Sequence, residues 1–118
     1  MDIYREEILD HYKNPRNFGP VEKFKLKAME RNASCGDVME MGLEVKNGVV
    51  EEVKFNGVGC AVSMAAASML TEMVKGKKLG EVKKLTEKDV YKKLGITISL
   101  GRQKCAQLGL VTLKKAIS

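Results

Sequence analysis

The chain predicts an α+β fold, with helices packed on one face of an antiparallel sheet. Three observations carry that expectation. A helical periodicity at the start gives way to alternating apolar residues between 39 and 55. A run of small apolar residues follows over 61–74. Beyond it, Gly76 and Gly95 sit where helices would end. The 118 residues are read as one domain, 1–118, long enough for a modest core of its own.

The elements are justified in order. Residues 2–13 read as a helix: Tyr4, Ile8 and Tyr12 recur at spacing four with Leu9 beside them, and Glu6 and Glu7 suit the first turn. Asn14-Pro15-Arg16-Asn17-Phe18-Gly19-Pro20 breaks it. Phe24 to Arg31 is taken as a first strand. Met39, Met41, Leu43 and Val45 then alternate with polar or small residues, as do Val49, Val53 and Phe55 around Glu51. Asn47-Gly48 lies between. A two-residue turn there would pair Lys46 with Val49 and send the two apolar sets to opposite faces. A three-residue loop, with Gly48 left-handed, pairs Val45 with Val49, Met41 with Val53 and Met39 with Phe55, and this register is the one expected. A helix over 60–75 is apolar all round and so buried on several sides, with Gly76 as its cap. A short helix near 79–85, a helix over 87–94 capped by Thr86 and Gly95, and a last helix from about Arg102 to Ile117 complete the chain.

Composition narrows the function classes. Hydrophobic residues are 44% and charged residues 31%, as in soluble globular proteins. No apolar run reaches the roughly 18 residues of a membrane span. The start, Met-Asp-Ile-Tyr-Arg-Glu-Glu, lacks the layout of a signal peptide, which predicts a cytoplasmic protein. In that reducing compartment three cysteines are buried bystanders, reactive groups or metal ligands rather than a disulfide set. The net charge is +6, and Lys75 to Lys93 holds eight lysines and three acids. That segment reads as a solvated surface or as a docking face for an acidic protein. With one aromatic, Tyr91, and no arginine, it offers nucleic acid little stacking or base readout.

The cysteines stand at the entrances of elements. Cys35 lies in a polar loop before the strand at 39, and Gly36 lets that loop bend so that Cys35 and Asp37 could converge. Cys60 marks the turn from strand to long helix. Cys105 is expected in the first turn of the last helix, so both would feel a helix dipole that favours thiolate. Three thiolates and one carboxylate suit tetrahedral zinc or the four outer positions of a two-iron cluster. A carboxylate bonds iron less covalently than a thiolate, which suits transient holding. Spacings of 25 and 45 residues match no compact zinc module, and buried cysteine is often a plain hydrophobe. His11, the lone histidine, is read as a packing or contact residue, and Met64, Met69 and Met73 as core.

These residues lie in segments that resemble the IscU/NifU-type iron–sulfur scaffold family over nearly the whole chain. The matching segments are Asp10-His11-Tyr12-Lys13-Asn14-Pro15-Arg16-Asn17, Ser34-Cys35-Gly36-Asp37, the stretch from Gly57-Val58-Gly59-Cys60 to Leu70-Thr71-Glu72, and Arg102-Gln103-Lys104-Cys105-Ala106-Gln107-Leu108. The resemblance implies a three-stranded antiparallel sheet with helices on one side. It implies that Cys35, Asp37, Cys60 and Cys105 surround a [2Fe-2S] cluster or zinc, with Cys105 or Cys35 accepting persulfide sulfur. It also implies a cysteine desulfurase, iron and electron donors and apo iron–sulfur recipients as partners.

Two departures matter. Many members carry histidine before the third cysteine where this chain has Lys104; a protonated lysine cannot ligate, so Asp37 is the expected fourth ligand and Lys104 an electrostatic helper for an anionic persulfide. The Leu-Pro-Pro-Val-Lys stretch that a dedicated Hsp70-class chaperone recognises in those members is replaced by Leu100-Gly101-Arg102-Gln103-Lys104. Lys104 and Arg102 are closer to the zinc-binding, sulfur-accepting SufU-like branch, whose insertion between the second and third cysteines is missing. Three readings result: a cluster scaffold that is not itself an enzyme, a zinc-dependent sulfur acceptor, and a metal-free interaction module using the lysines.

Overall fold

The hairpin between the two clearest strands sets the sheet. In a computed structural model, which describes residues 3–33 and 36–118, β1 (Leu26–Asn32), β2 (Asp37–Lys46) and β3 (Val49–Val58) form an antiparallel sheet in that order. Asn47 (φ 54°) and Gly48 (φ 77°) both take positive φ, as a two-residue type I′ turn requires. Lys46 therefore faces Val49 and Val45 faces Val50, which corrects the three-residue loop expected from the apolar pattern. A bulge does the work assigned to the longer loop. The register shifts between Glu44 and Val45, so Glu44 pairs with Glu52 and Glu51 is the extra residue. Beyond it Leu43 lies opposite Val53 and Met41 opposite Phe55, not Met41 opposite Val53 or Met39 opposite Phe55. A one-residue slip exchanges faces, so the bulge restores the common buried face that the short turn would have lost.

The first strand begins two residues later than expected. Phe24 instead closes a turn through its N–H to the Val21 carbonyl (3.1 Å) and lays its ring on the outer side of the sheet at Gly42. The outer edge of β3 is sealed by backbone hydrogen bonds: Phe55 donates to Asn17 O (2.9 Å), Val50 to Lys77 O (2.9 Å) and Leu79 to Gly48 O (2.7 Å).

The helices lie on the other face. α1 (Ile3–Lys13) packs on α2 (Ala61–Val74), α2 on β3, and α5 (Leu100–Ala116) on α2, β1 and β2. α4 (Glu87–Leu94) packs on α2 and α5, and α3 (Leu79–Lys83) meets α5 through the Lys114 ammonium, which donates to Lys83 O. Met39, Met41, Leu43, Val53 and Phe55 from the sheet meet Leu70 and Leu113 in a core with almost no exposure. In α2 every residue from Ser63 to Thr71 is buried, because the helix is enclosed by α1, α5 and β3. α4 starts with a capping box, the Asp89 carboxylate accepting the Thr86 N–H at 2.9 Å, and ends on Gly95.

Two local expectations change. Among the described side chains of α1, Ile8 and His11 are buried, whereas Leu9 and Tyr12 are about half exposed. His11 contacts α2 twice, Nδ1 to Ser68 Oγ (2.7 Å) and Nε2 to Glu72 Oε1 (3.6 Å). α5 starts at Leu100 after Ser99, two residues earlier than expected. Cys105 is thus its sixth residue, not part of the first turn, and lies beyond most of the dipole's reach. No described helix is long and apolar enough to cross a membrane.

Candidate functional site

Three elements deliver polar side chains to one end of the molecule. Asp37 opens β2, opposite Asn32 at the end of β1. Cys60 is the N-cap residue of α2, where β3 has just ended. Cys105 comes from the second turn of α5. One ligand atom from each of Asp37, Cys60 and Cys105 lies within 4.8 Å of the others. Cys35 falls outside the described residues.

The burial of this group is uneven. Asp37 and Cys105 are each 4% exposed, and Cys60 is the more open thiol. Asp37 Oδ2 is buried with no hydrogen-bond partner among the described residues. A buried carboxylate oxygen in that state costs free energy unless a further partner satisfies it. A tetrahedral metal with sulfur at about 2.3 Å holds its ligands about 3.8 Å apart, so a small contraction would bring these three atoms onto one ion. The donor set, two sulfurs and a carboxylate, fits zinc or iron.

Local contacts prepare Cys60. Its thiol donates to Ser63 Oγ (3.7 Å), and the Ser63 hydroxyl donates to Cys60 O (3.1 Å). Burial is the largest influence and pushes the thiol pKa up, with Asp37 adding to it; the Ser63 N–H and O–H and the Val62 N–H outweigh them together, so the net shift is down. The close approach is possible because residue 59 is glycine. A Cβ there would lie 2.3 Å from Ser63 Oγ and 3.1 Å from Asp37 Cγ.

Cys105 is contacted by a residue the sequence did not single out. The Asn32 side-chain amide donates to Cys105 Sγ at 3.7 Å. Ser63 was missed as well, although its place three residues after Cys60, at the start of a helix, is a legible N-terminal signal. Lys104, next to Cys105 in sequence, is exposed. It lines a cavity of about 280 Å³ with Glu30, Asn32 and Gln107. Val58 and Leu100, at 76% and 85% exposure, are exposed apolar residues close in sequence to Cys60 and Cys105.

Comparison with known proteins agrees with this architecture. The NifU-like N terminal domain family matches residues 3–118. The "Iron-sulfur cluster assembly scaffold protein IscU" of Aquifex aeolicus is 44% identical over 118 residues, 97% of this chain and 73% of that protein. The "Zinc-dependent sulfurtransferase SufU" of Bacillus subtilis is 32% identical, across 98% of this chain and 90% of its own length. Among solved structures, a candidate iron–sulfur cluster assembly scaffold of the SUF system from Fervidobacterium islandicum superimposes with a TM-score of 0.82 at 26% identity, covering 96% of this chain and 95% of that one. The chain belongs to the family of the NifU-like N-terminal domain.

Proposed function

We propose that this protein is a scaffold on which an iron–sulfur cluster, of the [2Fe-2S] type, is assembled and then transferred to apo-proteins. The observation that carries the reading is the convergence of Asp37, Cys60 and Cys105 within 4.8 Å, with one buried carboxylate oxygen lacking a partner among the described residues. Cys35 is the fourth ligand in this reading. Its place in the sequence, two residues before Asp37, suits that role.

The cluster is cargo, so its parts come from partners. A cysteine desulfurase supplies sulfur as a persulfide. A thiolate of Cys105 or Cys35 attacks the terminal sulfur, the donor's S–S bond breaks, and the donor cysteine leaves as thiolate. Reducing that sulfur to sulfide takes two further electrons, which an electron donor provides, and an iron donor supplies the metal. Lys104 assists by attracting the anionic persulfide. The protein acts in the cytoplasm and does not itself turn over a substrate.

A second reading has its own support in the Bacillus relative and in Lys104: a zinc-loaded acceptor that takes persulfide from a desulfurase. One experiment separates the two. Anaerobic reconstitution with ferrous iron, cysteine, a desulfurase and excess thiol reductant should give a coloured protein with about two irons and two acid-labile sulfides per cluster. A colourless product that keeps only zinc, and whose zinc-loaded form accelerates the desulfurase without iron, would replace the first reading with the second.

A further inference from the structure

Asn32 links two of the ligand-bearing elements. Its backbone closes the β1–β2 connection: it pairs with Asp37, and its carbonyl accepts the Gly36 N–H at 2.9 Å. Its side chain, only 8% exposed, turns the other way and reaches the last helix, where the amide nitrogen donates to Cys105 Sγ. One buried residue therefore ties the strand that presents Asp37 to the helix that presents Cys105, 73 positions away in sequence.

The chemistry of the contact is specific. A metal-bound thiolate can only accept hydrogen bonds, so the amide N–H is the end suited to face it. The amide nitrogen has no lone pair to offer and does not compete for the metal. A donor on a ligand sulfur fixes its direction and draws charge from it, and both effects alter how the metal is held.

We propose that Asn32 is a positioning residue for the candidate metal centre: it holds Cys105 Sγ in place for ligation and tunes that one metal–sulfur bond. The inference rests on the reading of Cys105 as a ligand. It assigns the Asn32 side chain a role beyond the backbone pairing that closes the hairpin.

The test uses the full chain loaded with zinc(II) or cobalt(II), compared with Asn32→Ala and the nearly isosteric Asn32→Leu, which can neither donate to sulfur nor ligate the metal. Chelator competition should show zinc affinity reduced by about 10-fold or more in both variants. In the cobalt form the sulfur-to-metal charge-transfer band should move to longer wavelength, since the sulfur electrons are no longer stabilised by a donor. Thermal unfolding of the metal-free proteins controls for simple structural damage. Asn32→Leu keeps the shape and so answers the question if Asn32→Ala fails to fold. Affinities within about twofold of wild type with an unchanged band would overturn the role of Asn32 and leave the cysteine site standing. A wild-type protein that binds neither ion through sulfur would overturn the site itself, and the inference with it.

Discussion

Cys60 and Cys105 lie at or near the starts of α2 and α5, where polar groups are buried and Asp37 Oδ2 has no partner among the described residues. Where the same helices end, the protein satisfies its own groups. Gly76 donates to Val50 O (2.8 Å), Val50 to Lys77 O (2.9 Å), and the Lys114 ammonium reaches Lys83 O (3.3 Å). A tight turn, a capping box and a sealed strand edge surround that end. The contrast assigns different work to the two ends. One is closed by hydrogen bonds within the chain, and the other gathers two thiols and a carboxylate, one oxygen of which has no partner among the described residues.

The largest expected effect tests the packed end. Leu113 is fully buried on α5, two turns beyond Cys105. Leu113→Ala should destabilise the metal-free protein by about 2–5 kcal/mol in urea unfolding, through lost burial and a cavity. Where the variant stays folded, its zinc affinity should stay close to wild type. A large loss of zinc affinity in the folded variant would show that the two ends are not separate in function.

At the other end a substitution should act in the opposite sense. Asp37→Ala removes the buried oxygen that lacks a partner among the described residues, so the metal-free protein should unfold at equal or higher urea, with a gain of about 1 kcal/mol. The same variant should lose most of the stabilisation that zinc gives wild type, since a ligand that binds only the folded state stabilises it in proportion to its affinity. A metal-free Asp37→Ala protein as damaged as Leu113→Ala would make Asp37 a structural residue and remove the contrast.

How much of this was legible in the sequence depends on the range of the interactions. α2 and its cap at Gly76 were readable because the apolar character and the stop signal lie within one segment. The caps of α4 at Thr86 and Gly95 were equally local. The hairpin register was misjudged because apolar parity alone cannot distinguish a longer loop from a tight turn plus a bulge at Glu51. The start of α5 was placed two residues late because Leu100 and Gly101 carry no clear start signal. Asp37, Cys60 and Cys105 could be named from residue type and from the family's motifs, and the structure brings those three together. Asn32 could not be found that way, since its partner lies across the fold and an asparagine before a turn has an ordinary explanation.

The smallest expected effect concerns the tether between α1 and the middle of α2. Burial, and then the Arg16 charge, hold the His11 imidazole below its ordinary value of 6.5, against the opposing pull of Glu72, Asp10 and Glu7. The folded state therefore binds this proton less readily than the unfolded chain. The stability contributed by the neutral ring is fully present above pH 6.5, and it is lost as pH falls from there through the lower folded value. His11→Gln removes the titrating group and retains a polar side chain facing Ser68. Thermal unfolding of the metal-free proteins from about pH 8 to about pH 5 should show wild type losing stability faster than the variant on the acid side of that window. The zinc affinities of the two proteins at pH 8 should coincide, because His11 contacts Ser68 and Glu72 and belongs to neither end. Equal acid slopes would remove the tether from the account of pH. A fall in zinc affinity with His11→Gln would show that α1 helps to set the position of Cys60 through α2.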